Sequence, residues 1–357
     1  MTPSPLDLTK FIHPAQVGGI ESYTIDEGEG RGVRALLVNT GGGLRYRVLV
    51  DRGMDIDQAF FNEKSLAFLS HKGVTPPTRA LDTGLGWLKG WPAGLLTSCG
   101  PMNIASPCND AGEELGLHGT HSHTAASIES VIQPDPHAGE TALRMVGRLR
   151  YGKMFGPNLT MKRTITSQLG SNVISIEDHF HNAGNTELPH AWLLHINLGY
   201  PLVDEGAKIV CPTDRIEARS DPKSQAYFTS KDALTAPAPL DGHSGSGEVV
   251  AYLFPKALTS DGQTTVALVN EKLGLALAVH YNTREFGRCG SWQHWGLREY
   301  VTGIEPMNGT VEGRDKDRAR GVLDSLKAGE RREYRYQLEV VTEPDQIKSL
   351  LRMGDRA

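Results

Sequence analysis

"VISIEDHF", residues 173–180, alternates apolar and polar side chains over residues 174–177, so that Ile174 and Ile176 share one face and Ser175 and Glu177 the other. That period of two belongs to a half-buried antiparallel strand. Similar short runs recur outward in both directions: "GVRALLV" (32–38), "LRYRVLV" (44–50), "TALRMVGRLR" (141–150), "LTMKRTIT" (159–166), "VVAYLF" (249–254), "TVALVN" (265–270), "LALAVHY" (275–281) and "REYRYQLEVV" (332–341). They are rich in β-branched, aromatic or alternating residues and are separated by turn sequences such as "GEGRG", "GGG", "HNAGN" and "SDGQ". Forty glycines in 357 residues suit many tight turns better than long helices. The pattern predicts an all-β protein, a large antiparallel sandwich with few short helices. Only "EPDQIKSLLRM", with Ile347, Leu350 and Leu351 on one face, predicts a helix, over about 343–353.

With no fixed-period repeat, residues 1–357 are expected to form one domain, since large β proteins often exceed the usual domain length as a single unit. The Pro/Gly/Ser stretch "LTAPAPLDGHSGSG" (234–247) is expected to be a loop, either a surface excursion or part of a site.

Composition excludes several classes of function. A net charge of −5 without a basic stripe gives no footprint for nucleic acid. The start, "MTPSPLDLTKFIHPAQ", has no apolar segment behind a basic one, and no stretch is apolar enough to span a membrane, so a cytoplasmic protein is expected. Cys99, Cys108, Cys211 and Cys289 are far apart, without paired spacing, and read as reduced thiols, mostly in the core. A monomer or a homodimer is compatible with all of this.

The densest cluster of chemically capable side chains is "LGLHGTHSH" (115–123), which holds His118, His121 and His123 out of 13 histidines. Zinc sites favour histidines at H-x-x-x-H spacing on one helical face, which this stretch lacks. A metal site, an acid/base loop and plain core or solvated histidines all remain open on these residues alone.

Three more distant segments bear on that choice. "LHG" (117–119), then "LLHINLGYPL" (193–202), then "YVTGIEPMNG" (300–309) together resemble the galactose mutarotase-like superfamily of aldose 1-epimerases. "DRGMDI" (51–56), "GLLTSCGP" (94–101), "HINLGYPLVDEGA" (195–207) and "GIEP" (303–306) resemble an aldose-1-epimerase-like branch of it. The resemblance runs over most of the chain and implies a β-supersandwich, no cofactor and a small carbohydrate as partner. It implies that Glu305 is the base, His195 the acid and His118 a further donor. Thr120 stands where the usual segment has a second glycine, and no counterpart can be placed for the aspartate with which ordinary mutarotases hold the sugar.

These residue types suit the chemistry. Exchanging the anomers of a sugar requires a base for the C1 hydroxyl and an acid for the ring oxygen, and a carboxylate and an imidazole supply both near neutral pH. Sugar binding needs flat apolar faces beside fixed donors. Trp292 and Trp295 in "SWQHWGLREY" are the candidates for the face, while Trp87 and Trp91 in "GWLKGWPAG" read more readily as core filling. Arg52, Asn197, His121 and His123 are the candidate hydrogen-bonding contacts, with an ion pair to Asp51 or Asp55 as the plainer reading of Arg52. No metal is expected. The competing classes are a sugar isomerase or lyase, metal-assisted through His118, His121, His123 and His280, and a carbohydrate-binding module without turnover.

Overall fold

A computed structural model describes residues 6–355. The ends of the 1–357 domain expected above, and the first five residues of the N-terminal start, therefore lie outside the described residues.

The chain builds large antiparallel sheets, as its alternation predicts. An eight-stranded sheet runs in the order 208–210, 263–270, 275–282, 331–341, 173–182, 158–168, 142–152, 127–132. A six-stranded sheet runs 216–218, 249–253, 288–296, 299–307, 193–198, 97–99, and a five-stranded sheet covers 19–65. The strand Val173–Asn182 buries Ile174 and Ile176 and turns Ser175 and Glu177 outward. Every strand predicted by alternation is present, with ends shifted by a few residues.

One apolar cluster joins the sheets. It takes Ile174, Ile176 and Phe180 from the first, Leu194, Ile196 and Ile304 from the second, and Val38 and Val48 from the third. Within it, Arg163 is wholly buried between two carboxylates, with Nε 2.7 Å from Asp178 and Nη1 2.9 Å from Asp55. Its other donors reach Gly53 O and Ser98 Oγ. A buried cation is tolerated because each donor is met, and the pairing ties the first strand sheet to the 53–55 turn and the 97–99 strand.

Helix is scarce. Among the described residues the α-helices are Pro222–Tyr227, Arg314–Ala319 and Pro344–Asp355, the last packing Ile347 against Val210, Ala267 and Ala278. The cysteines are unpaired; Cys99, Cys211 and Cys289 are buried and Cys108 is partly exposed. No described helix is long and apolar enough to cross a membrane.

Candidate active site

The six-stranded sheet brings the distant residues together. The strands Leu193–Leu198 and Glu299–Met307 pair antiparallel, with Leu193 opposite Met307 and Ile196 opposite Ile304. That register sets His195 across from Glu305. The two side chains meet, Nε2 to Oε1, at 3.1 Å.

Space for the carboxylate comes from two glycines within the strands. A Cβ on Gly290, the cross-strand partner of Glu305, would sit 2.7 Å from Oε2, and one on Gly303 would sit 2.9 Å from Oε1. Neither glycine was singled out from sequence. The available signal was a glycine inside an otherwise continuous strand, which marks a close approach.

His118 arrives from a loop. Its backbone is left-handed, φ 59°, and is held there because its N–H donates to Ala105 O while its carbonyl accepts from Gly100 N. The Ala105 N–H donates to His118 Nδ1 at 3.2 Å, so the neutral ring carries its proton on Nε2. Its ring lies 5.6 Å, centroid to centroid, from that of His195.

The three residues share a cleft of about 1090 Å³, a size suited to a small ligand. Aromatic rings wall it. Trp91 and Trp292 each stand 5.3 Å from the His195 ring, and Trp87 stacks on Trp91 at 4.8 Å and lies 4.5 Å from His118. Gly245 and Ser246, from the 234–247 loop, line it too, so that segment is more than a surface excursion.

Burial sets the charge states. The Glu305 carboxyl is pushed up to about 8 by burial, against a small opposing pull from Arg219. The His195 imidazole is pushed down to about 4 by burial, with Asn197 opposing. His118 falls well below the ordinary histidine value, through burial and then the nearby His195. Low polarity thus favours the neutral form of each group. Although Glu305 Oε1 is close to His195, the approach is poorly aligned, and this buried oxygen has no hydrogen-bond partner; His195 Nδ1 is likewise unmet. Orphaned polar atoms at the bottom of a cleft mark where a ligand's hydroxyls would be received.

The other expected contacts are placed elsewhere. Trp295 is in the core, its Nε1 donating to Tyr227 Oη and Gln293 Oε1, because its side chain projects from the opposite face to its neighbour's. Trp292 alone of that pair reaches the cleft, and Trp87 and Trp91, read as core filling, supply the remaining aromatic wall. Arg52 is buried away from the cleft, its fork donating to Thr75 and to Gly90 O; no ion pair to Asp51 or Asp55 forms. His121 points inward to Tyr151 Oη at 2.7 Å, and His123 to Asp82 at 2.7 Å. Their rings diverge from that of His118 because the short turn His121–His123 rotates successive side chains apart. Asn197 is buried two residues beyond His195, its side-chain amide donating to Gly94 O and to the backbone carbonyl of His195. His280, on the eight-stranded sheet, is held by Thr265 and Glu339. Among the described residues no group of His, Cys, Asp and Glu side chains is arranged to hold a metal.

The fold is that of a galactose mutarotase-like β-sandwich. Over 95% of its length the chain resembles a candidate aldose 1-epimerase from Klebsiella pneumoniae, 88% of which is covered, at TM-score 0.84 and 22% identity. A galactose mutarotase-like protein from Clostridium acetobutylicum matches 91% of this chain and 98% of its own at TM-score 0.64 and 12% identity. The galactose 1-epimerase of Lactobacillus acidophilus NCFM matches 90% of this chain and 98% of its own at TM-score 0.55 and 10% identity. By sequence, the chain belongs to the family described as "Domain of unknown function (DUF4432)", which matches residues 30–340. No curated protein matches the sequence.

Proposed function

We propose that this protein is a cofactor-independent sugar epimerase that exchanges the anomers of a free sugar by ring opening. The observation that carries the reading is the buried Glu305 carboxyl, 3.1 Å from His195 and with an unmet oxygen, at the bottom of an aromatic-walled cleft.

The pair holds one proton. It rests on Glu305 in the free site; in the minor state in which it has passed to His195, the Glu305 carboxylate removes the proton of the C1 hydroxyl while His195 Nε2–H protonates the ring oxygen, and the C1–O5 bond breaks to give the open-chain aldehyde. Rotation about C1–C2 presents the other carbonyl face. The reverse transfers reclose the ring and restore both groups, so nothing is consumed. His118, neutral and with its proton on Nε2, steadies charge that develops on oxygen during transfer. Trp91 and Trp292 offer their flat faces to the sugar's C–H surface.

The test is acceleration of α/β exchange, read by saturation-transfer NMR across a panel of sugars, with binding followed by calorimetry. Wild-type protein should accelerate exchange of at least one sugar, and Glu305→Gln should lose about 10²- to 10⁴-fold while still binding it. Binding without any acceleration would overturn the epimerase reading in favour of a carbohydrate-binding module.

A further inference from the structure

The cleft is charged against the sign of the molecule that carries it. The chain has a formal net charge of −5, yet the cleft walls present four cations, Lys72, Lys89, Arg219 and Arg298, against the carboxylates Glu248 and Glu299. Glu305 adds no charge there while it keeps its proton. Two of the cations are compensated. Lys72 pairs with Glu29, and Arg219 sits 2.7 Å from Asp221 and 3.8 Å from Glu248. Lys89 and Arg298 are exposed and make no ion pair among the described residues. Uncompensated cations beside low-polarity aromatic walls focus a field that draws in anions.

Arg298 has a second peculiarity. It occupies the tight turn between the strands Arg288–Gly296 and Glu299–Met307 with φ 71°, the left-handed region. Glycine or asparagine takes such a position readily, whereas a long side chain is strained there. Strain retained at a cleft rim points to use of the side chain that causes it.

Glu305 and His195 are buried at the bottom of the cleft, whereas Lys89 and Arg298 are exposed at its mouth. A sugar presenting C1 to the first pair therefore directs its far end toward the second. We infer that the sugar taken by this cleft carries an anionic group, a carboxylate or a phosphate, at the end remote from the reacting carbon, and that Arg298 and Lys89 read it. The inference rests on the epimerase reading for the orientation of the sugar. Arginine suits the task because its planar fork meets either oxyanion with two parallel hydrogen bonds.

The experiment compares D-galacturonate, D-glucuronate and D-glucose 6-phosphate with neutral D-galactose and D-glucose. Anomer exchange is read by NMR and binding by calorimetry, each at low and high salt. At least one acidic sugar should show a KM about ten-fold or more below that of its neutral parent, with the gap narrowing as salt screens the rim. The uronate and phosphate arms tell which oxyanion is read. Arg298→Asn removes the cation while leaving a residue that accepts the turn, so the acidic-over-neutral preference should shrink about ten-fold with no loss of thermal stability; Lys89→Gln should shrink it further. Neutral sugars exchanged as well as acidic ones, or a preference untouched by both substitutions, would overturn the inference and leave the epimerase reading standing. Acidic sugars that bind without exchange, and bind more weakly to both variants, would uphold the inference while removing the epimerase reading. Failure of every acidic probe to bind would overturn it.

Discussion

His195 Nε2 lies 3.1 Å from Glu305 Oε1, and both groups are driven toward their uncharged forms by the same burial. A carboxyl held up to about 8 beside an imidazole held down to about 4 keeps a single proton between them over a wide interval. This is the protonation state that a coupled acid/base exchange requires.

The pH dependence of exchange follows from that pairing. kcat/KM should be level between pH of about 4 and about 8, falling below as a second proton reaches His195 and above as the last one leaves Glu305. A pH–rate profile checks this. A limb near 6.5, the ordinary histidine value, would show that His195 is not held neutral by burial.

Stability should respond in a defined direction. The folded Glu305 carboxyl keeps its proton more tightly than the unfolded one, so its stabilising contribution belongs to low pH and is lost as pH climbs from 4.5 toward about 8. Between pH 7 and 8 the Glu305 contribution falls by about 1 kcal/mol. The thermal midpoint of Glu305→Gln should therefore decline less over that interval than that of the wild type, as calorimetric scans would show.

Glu305→Gln and His195→Asn should not add. Once one end of the transfer is gone the other has little left to catalyse, so the double variant should be only slightly slower than either single one. Losses that multiply in a double-mutant cycle would mean that the two groups act in separate steps.

Gly303→Ala tests the positioning of the base. The added Cβ would fall 2.9 Å from Glu305 Oε1, and the carboxylate end would have to shift by several tenths of an ångström. Displacement on that scale should cost about ten- to a hundred-fold in kcat with little change in thermal midpoint, because alanine is compatible with the strand. Unchanged kcat would show that the carboxylate has slack.

Chelation separates the histidine loop from a metal centre. His118 faces the cleft while His121 and His123 are committed to Tyr151 and Asp82, so EDTA should leave exchange and thermal midpoint unchanged. Stoichiometric zinc, manganese or iron in the purified protein, lost on chelation with a fall in stability, would favour the metal-assisted isomerase or lyase.

Strand alternation made the outer layers legible in advance. Ile174 and Ile176 are buried and Ser175 and Glu177 turn outward because that strand has water on one side, which writes a period of two into its residues. The strands that carry the site left no such trace. Leu193–Leu198 is buried at every position, and Glu299–Met307 at all but its first two, so neither alternates. Their histidine and glutamate were found through the resemblance of "LLHINLGYPL" and "YVTGIEPMNG".

Residue order and composition by themselves thus determined an antiparallel β protein, and the family resemblance of three segments named the three side chains that share the cleft. Which tryptophans wall it, and where Arg52, His121 and His123 go, was decided only by tertiary structure. A side chain's face depends on strand register and turn geometry, and a shift of one residue sends it to the opposite side of the sheet. Trp292 and Trp295, three apart on one strand, differ by that parity: one stands against His195 and the other fills the core.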